Sequence, residues 1–299
     1  MIKDSINSFF DKRDTADLSW RFIVNFRAFC YRIINKQPNY LKKNIEFHNK
    51  YSGKRCFILG NGPSLNDLEF GLLKNEYVFT VNMLMDHEKF YDLNSNFHIM
   101  IDPVIFDVKE DSGLDKFHYV RKIDKLSKNK DVVLFAPFKC AHTIEKLGID
   151  KTVNVRYLLD YEHYKSINSI AIDKTMPGFN KVIQYAIAIA IYMGFKEINL
   201  LGCEETNIIP YINLLMTGET DNDHCYKNTA EEKKSWINRV NSQGISWLFA
   251  DQAKVFKRYE LLSEYCRNNQ IKLQNLTPCS LINSIDKASL DTVLGSNQE

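Results

Sequence analysis

The sequence lacks the signatures of several large protein classes. Its seven cysteines are scattered without a Cys-x-x-Cys pair, which argues against a structural zinc site and against a disulfide framework. No apolar run approaches the about 18 residues that span a bilayer, and no secretory signal opens the chain. We therefore expect a cytoplasmic protein whose cysteines are mostly small core residues.

A strong net charge is also missing. The formal net charge of +2 over 299 residues argues against a general nucleic-acid-binding protein. The charge is nevertheless uneven, because residues 1–50 carry ten basic and five acidic side chains, a net +5, and the remainder carries −3. The positive end is therefore a local feature of the first fifty residues.

Residues 1–50 are predicted to form a basic helical extension in front of a second unit, residues 51–299. Within the extension, residues 18–35 interleave aromatic residues with arginines until Pro38 breaks the pattern. A helix of this composition is able to lie in the interface of an anionic membrane, which predicts peripheral contact with the inner face of the membrane. Alternatively, the helix packs on the rest of the protein or on a second subunit, so a homo-oligomer stays open.

From residue 54 onward, short apolar runs alternate with helical patterns, which is typical of an α/β protein. Polar residues follow the first three runs, namely Asn61, Asn82 and Asp102. Because ligands gather at the carboxyl ends of parallel strands, these residues are expected at one edge of the sheet. The sequence predicts a Rossmann-like, mostly parallel sheet flanked by helices, with strands near 54–59, 77–82, 97–103, 131–137, 195–202 and 271–280 and helices at 182–193 and 250–269.

The turn after the first predicted strand reads Gly60-Asn61-Gly62-Pro63-Ser64 and is predicted to open a helix. Glycine lets the main chain approach a ligand closely, and the free N–H groups of a first helical turn favour an anion such as phosphate. An ordinary strand-to-helix turn explains the same residues equally well. The spacing is neither that of a dinucleotide fingerprint nor that of a P-loop.

Two further segments are predicted to reach the same sheet edge. Gly178 and Asn180 precede the apolar helix, whose N-terminus is expected to offer a second set of backbone donors. Glu204 and Glu205 follow the central strand. Together with Asp102, these acids are able to bind a divalent ion or to act as a base, and the alternative is a solvated loop.

Residues 57–65 closely resemble the N-terminal nucleotide-binding motif of bacterial lipooligosaccharide sialyltransferases. Residues 186–202 are similar to their alanine-rich helix and following strand, and residues 271–281 to their closing strand. The same blocks, with the Asp-His-Cys-Tyr element at 223–226, also resemble a group from surface-polysaccharide gene clusters that is similar to archaeal hydroxymethylpterin diphosphokinases. The resemblance covers residues 54–285 and implies a GT-A-variant-like fold.

The sialyltransferase resemblance implies a glycosyltransferase that moves a sialic-acid- or Kdo-like sugar from a CMP-linked donor to a surface glycan. It implies no metal ion and no cofactor besides the nucleotide-sugar substrate. Its partners are then the donor and a glycan acceptor, with no nucleic acid. The donor-site candidates that follow from the resemblance and the sheet edge are Gly60, Asn61, Gly62, Ser64, Asn82, Gly178, Asn180, Gly202 and Glu204.

The catalytic candidates are His224, Tyr226 and Asp102. His224 lies in a polar loop. Histidine in general suits the role of a base because free imidazole has a pKa near neutrality, although surface loop histidines are usually inert. Tyr226 is expected to reach the donor phosphate. Two departures from the sialyltransferase pattern stand out: Asp102 replaces an asparagine, and no tyrosine follows Gly202-Cys203.

Two other functions compete with glycosyl transfer. A pterin-type diphosphokinase using ATP and magnesium would make better use of Asp102, Glu204 and Glu205. A non-catalytic membrane-docking protein would use only the basic N-terminal helix.

Overall fold

The computed structural model of the protein describes residues 22–23, 25–26, 29–30, 39–106, 122–129, 131–161, 166–219, 224–227, 230–242 and 244–295. Within these residues lie nine strands: β1 (Arg55–Leu59), β2 (Tyr77–Val81), β3 (Ser95–Ile99), β4 (Val133–Pro137), β5 (Asn154–Tyr161), β6 (Thr175–Pro177), β7 (Glu197–Leu201), β8 (Lys272–Asn275) and β9 (Asp286–Lys287). They form one sheet in the order β6-β5-β4-β3-β2-β1-β7-β8-β9, and every neighbouring pair is parallel. The predicted Rossmann-like parallel sheet is confirmed.

Helices flank this sheet, and short 3₁₀ helices connect many of the elements. The described α-helices are α1 (Ala141–Leu147), α2 (Val182–Tyr192), α3 (Ile208–Thr217), α4 (Ala230–Asn241), α5 (Ile245–Asn268) and α6 (Leu290–Gly295). No helix of the described residues is long and apolar enough to cross a membrane.

Both faces of the sheet are buried. Cys56 and Ile58 of β1 belong to the core on one face, whereas Phe57 and Leu59 belong to the core on the other. This burial on both sides explains why the central strands read as continuous apolar runs rather than as alternating patterns. Helix α2 is buried at every position from Ile183 to Tyr192, as its nearly uniform apolar sequence predicts.

The order of the strands creates a switch point beside β1. The chain adds β2 to β6 successively on one side of β1, and α2 then leads to β7, which pairs with β1 on its other side. In open parallel sheets the crevice outside the carboxyl ends of two such strands is the usual ligand site. The turns that follow β1 and β7 are therefore the expected position of a ligand site.

One local prediction is confirmed and one is wrong. The turn after β1 continues as a helix, as predicted, and this helix is of the 3₁₀ type, Pro63–Asp67. Its tighter winding places Leu65 and Leu68 on one side, where both are buried. The third strand ends at Ile99 rather than near residue 103, so Asp102 lies beyond the sheet.

The predicted N-terminal extension lies largely outside the described residues. Residues 22–23, 25–26 and 29–30 are helical, as expected. Residues Tyr40–Phe47 form a 3₁₀ helix. The Asn44 amide of this helix donates hydrogen bonds to the carbonyl oxygens of Tyr157 and Ile172, at 2.8 and 2.7 Å. This last part of the extension is thus packed on the sheet.

Candidate functional site

The turns after β1 and β7 pack directly on each other. The Gly60 N–H donates to the Leu201 carbonyl at 2.8 Å, and the Gly62 N–H donates to the Gly202 carbonyl at 2.9 Å. A Cβ on Gly60 would lie 2.1 Å from the Gly202 oxygen, and a Cβ on Gly62 would lie 1.4 Å from Glu204 Oε2. At Gly60 a side chain would collide with main chain, whereas at Gly62 it would displace the Glu204 side chain.

The carboxylate of Glu204 occupies the start of the 3₁₀ helix. The Ser64 N–H donates to Glu204 Oε1 at 2.8 Å. Glu204 is 7% exposed, and its Oε2 has no hydrogen-bond partner among the described residues. The Ser64 N–H, which the sequence analysis expected to donate to a phosphate, therefore already donates to a carboxylate of the protein itself.

A turn after β8 fixes the loop that carries Glu204. The Cys203 N–H donates to Thr277 Oγ1 at 2.9 Å, and Ser280 Oγ donates to the Cys203 carbonyl at 2.7 Å. The Leu281 N–H donates to the Glu204 carbonyl at 2.9 Å. The family resemblance included this closing segment, but no local sequence pattern predicts that it holds the Glu204 loop in place.

Glu205 is held by two residues that the sequence analysis missed. Tyr259 of α5 is fully buried, and its hydroxyl donates to Glu205 Oε1 at 2.6 Å. Burial raises the pKa of Tyr259, so this hydroxyl stays protonated as a donor. Lys181 Nζ lies 3.7 Å from Glu205 Oε2. Glu205 itself has a φ of +53°, a strained conformation for a residue with a side chain.

These groups surround a cavity of about 150 Å³ at the switch point. The two glycine turns line this cavity, together with Val182 and Ile183, the first two residues of α2. Ligand pockets commonly measure about 300–1,000 Å³, so a nucleotide bound here would extend beyond this cavity. Its polar side chains are Asn61, Lys181, Glu204, Glu205, Thr206, Asn207 and His224.

The loop that contains His224 reaches this cavity. The Cys225 N–H donates to the Asn61 carbonyl at 2.8 Å, which joins the loop to the turn after β1. His224 lines the cavity, and its ring stacks on Tyr226 with the ring centroids 5.1 Å apart. Burial raises the pKa of Cys225 to about 12, so its thiol stays protonated and is a poor nucleophile.

Six predicted site residues do not line the cavity, namely Ser64, Asn82, Asp102, Gly178, Asn180 and Tyr226. Asn82 follows β2 with a φ of +44°, and Asp102 is exposed beyond β3. The Gly178 N–H donates to the Tyr161 carbonyl at 2.8 Å, and the Asn180 N–H donates to Gln184 Oε1 at 3.1 Å. The Asn180 amide, expected to face a ligand, is thus satisfied within the protein.

Asn82 is supported by a buried histidine, which gives a testable pH dependence. His98 is fully buried, with Nδ1 2.8 Å from Thr80 Oγ1 and Nε2 2.9 Å from the Asn82 carbonyl. Burial lowers the pKa of His98 to about 3. An unfolded histidine binds a proton near pH 6.5, so we expect stability to fall as the pH drops below 6.5, by at most about 1.4 kcal/mol per pH unit.

Urea unfolding of the wild type and of His98→Gln between pH 7 and pH 5 tests this expectation. The variant, which cannot bind this proton in the unfolded state, should lose most of the slope. An identical slope in both proteins would mean that other groups cause it.

No three His, Cys, Asp or Glu side chains in the described ranges stand close enough together to hold a metal ion. The Glu204 carboxylate accepts from the Ser64 N–H. The Glu205 carboxylate accepts from the Tyr259 hydroxyl and pairs with Lys181.

Comparison with protein families gives a match. The model of a family described as 6-hydroxymethylpterin diphosphokinase MptE-like matches residues 31–208, more than half of the chain. No curated protein matches the sequence. The matched segment includes both glycine turns, Lys181 and Glu204, and it ends before His224.

Proposed function

The chain belongs to the 6-hydroxymethylpterin diphosphokinase MptE-like family, and from this membership we propose that it is a transferase that binds a nucleotide donor. The donor binds at the crevice between β1 and β7. The observation that carries the proposal is the cavity at this switch point, walled by two glycine turns and the start of a buried helix. The transferred group is a sugar carried by CMP, and the acceptor is a hydroxyl of a bacterial surface glycan.

The cavity supplies groups for such a transfer. His224 takes the proton of the acceptor hydroxyl while that oxygen forms a bond to the sugar and CMP leaves with the bonding electrons. Lys181, at the start of α2, lies near the charge that develops on the leaving phosphate. Asn61 and the glycine turns bring main-chain groups close to the nucleotide.

The charge of the cavity supports a CMP-linked donor over ATP. Among the described residues that line it, Lys181 is the only cationic side chain, and two carboxylates lie beside it. A triphosphate carries more negative charge and is usually held by several cationic groups or metal ions. A CMP-linked sugar carries a single phosphodiester charge and therefore needs less compensation by cations than ATP does. The pterin-type diphosphokinase that the family description names is the second candidate.

Thermal denaturation with different nucleotides separates the candidates. We expect CMP without metal to raise the melting temperature, since a ligand at about 100 times its Kd stabilises by about 2.7 kcal/mol. UMP and AMP serve as nucleotide controls. A response only to ATP with magnesium would favour the diphosphokinase, and no response to any nucleotide would favour a non-catalytic protein.

We further propose that the N-terminal segment contacts the inner face of an anionic membrane. Phe22, Phe26 and Phe29 are 71%, 57% and 54% exposed. Their spacing of four and three residues places them along one side of a helix, and they also line a cavity together with Phe138 and Leu159. Residues 1–50 carry a net charge of +5, which complements anionic lipid.

Replacing Phe22 and Phe26 with serine is expected to weaken binding to anionic vesicles by at least about 10-fold, since burying one such side chain contributes about 1.5–3 kcal/mol. Vesicle flotation measures this effect. Leu72→Ser is the matched control, because Leu72 is 53% exposed on a different part of the surface. Equal flotation of all three proteins would rule out this contact.

A further inference from the structure

Two buried acceptor oxygens at the cavity have no hydrogen-bond donor among the described residues. They are Oε2 of Glu204 and Oδ1 of Asn207, and both residues line the cavity. The Glu204 side chain is more than nine-tenths buried. Buried polar atoms in folded proteins are nearly always paired, so these two oxygens point to donors that a ligand brings.

The position of the Glu204 oxygen is fixed by the protein. Its other carboxylate oxygen accepts from the Ser64 N–H at 2.8 Å, and its main-chain carbonyl accepts from the Leu281 N–H at 2.9 Å. Oε2 lies so close to the Gly62 Cα that a Cβ there would be 1.4 Å away. Turning Oε2 elsewhere would break the bond to Ser64, so the acceptor stays in place before a ligand arrives.

Lys181, the cationic side chain at the cavity, does not donate a hydrogen bond to Glu204 Oε2. Lys181 lies 3.7 Å from the carboxylate of Glu205, which also accepts from Tyr259. The acceptor pair is therefore distinct from the Lys181–Glu205 ion pair, although both contribute to one cavity.

We propose that Glu204 Oε2 and Asn207 Oδ1 accept hydrogen bonds from the amino group of the donor's base and thereby select cytosine over uracil. This inference rests on the proposed nucleotide site. The 4-amino group of cytosine carries two donor hydrogens, and carboxylates are common acceptors for it. Uracil presents a carbonyl oxygen at the same position, which would face two acceptors without a shared hydrogen.

Titration calorimetry with CMP and UMP tests the inference. The wild type should bind CMP about 10- to 100-fold more tightly than UMP. In Glu204→Gln the remaining oxygen still accepts from Ser64, while an NH₂ group replaces Oε2 and faces the base. We therefore expect this variant to lose the preference for CMP or to prefer UMP.

Two further variants make the test specific. Asn207→Leu removes one acceptor and should reduce the CMP preference without reversing it. This variant also provides the test if Glu204→Gln does not fold. Glu205→Gln is the matched control, because its carboxylate is bound to Tyr259 and Lys181, and it should leave the ratio of the two affinities unchanged.

The outcomes distinguish this inference from the proposed function. Equal binding of CMP and UMP by the wild type, or an unchanged ratio in both Glu204→Gln and Asn207→Leu, overturns base selection while the nucleotide site stands. Absence of binding by either nucleotide to the folded wild type overturns the donor site itself.

Discussion

His224→Ala is expected to slow glycosyl transfer by about 10²- to 10⁴-fold while CMP binds with unchanged affinity. A general base acts on the acceptor hydroxyl, so its loss reduces kcat and leaves the donor contacts in place. The structure places His224 at the cavity, on a loop joined to the turn after β1 through the Cys225–Asn61 hydrogen bond. Initial-rate kinetics and donor titration of the same variant measure the two quantities separately.

His142→Ala is the matched control for this prediction. His142 is exposed on α1 and does not line the cavity, so its replacement should leave both rate and affinity unchanged. Full activity of the His224 variant would remove this residue from the mechanism. Equal losses of CMP affinity and rate would instead make it a donor-binding residue.

Gly60→Ala is expected to destabilise the protein by about 2–3 kcal/mol and to abolish the response to CMP. The added Cβ would lie 2.1 Å from the main-chain oxygen of Gly202, so the turns after β1 and β7 must separate. Because both turns line the proposed donor site, their separation changes its shape. Urea unfolding measures the first effect, and thermal denaturation with CMP measures the second.

Gly71→Ala provides the control, since a Cβ on Gly71 meets no atom within 4 Å. Its stability should stay within about 0.5 kcal/mol of the wild type. Gly62→Ala should differ from Gly60→Ala, because the added Cβ meets the Glu204 side chain rather than main chain. Wild-type stability of Gly60→Ala would show that the two turns are able to separate without cost.

The sheet and the edge that carries the candidate site were predictable because their signals are local. Apolar runs flanked by turn residues indicated the central strands, and the uniform apolar sequence of α2 indicated burial. The predicted proximity of Gly60 and Gly202 follows from the rule that parallel strands end at one edge. That expectation is confirmed by the contact between their turns.

The side-chain contacts of the site were not predictable in the same way. Glu204 and Ser64 are 140 positions apart in sequence, and no local pattern reports such a pairing. Lys181 and Tyr259 likewise acquire their roles only when α2 and α5 pack on the same face of the sheet. Asp102 illustrates the opposite error, since a polar residue in a loop looks like a polar strand end until the length of β3 is known.

The most direct test of the account is a crystal structure of the protein soaked with CMP. We predict that CMP occupies the crevice between the turns after β1 and β7, with the base against Glu204 and Asn207 and the phosphate near Lys181. CMP bound elsewhere, or a crevice that admits ATP with magnesium and not CMP, would contradict the proposed donor site.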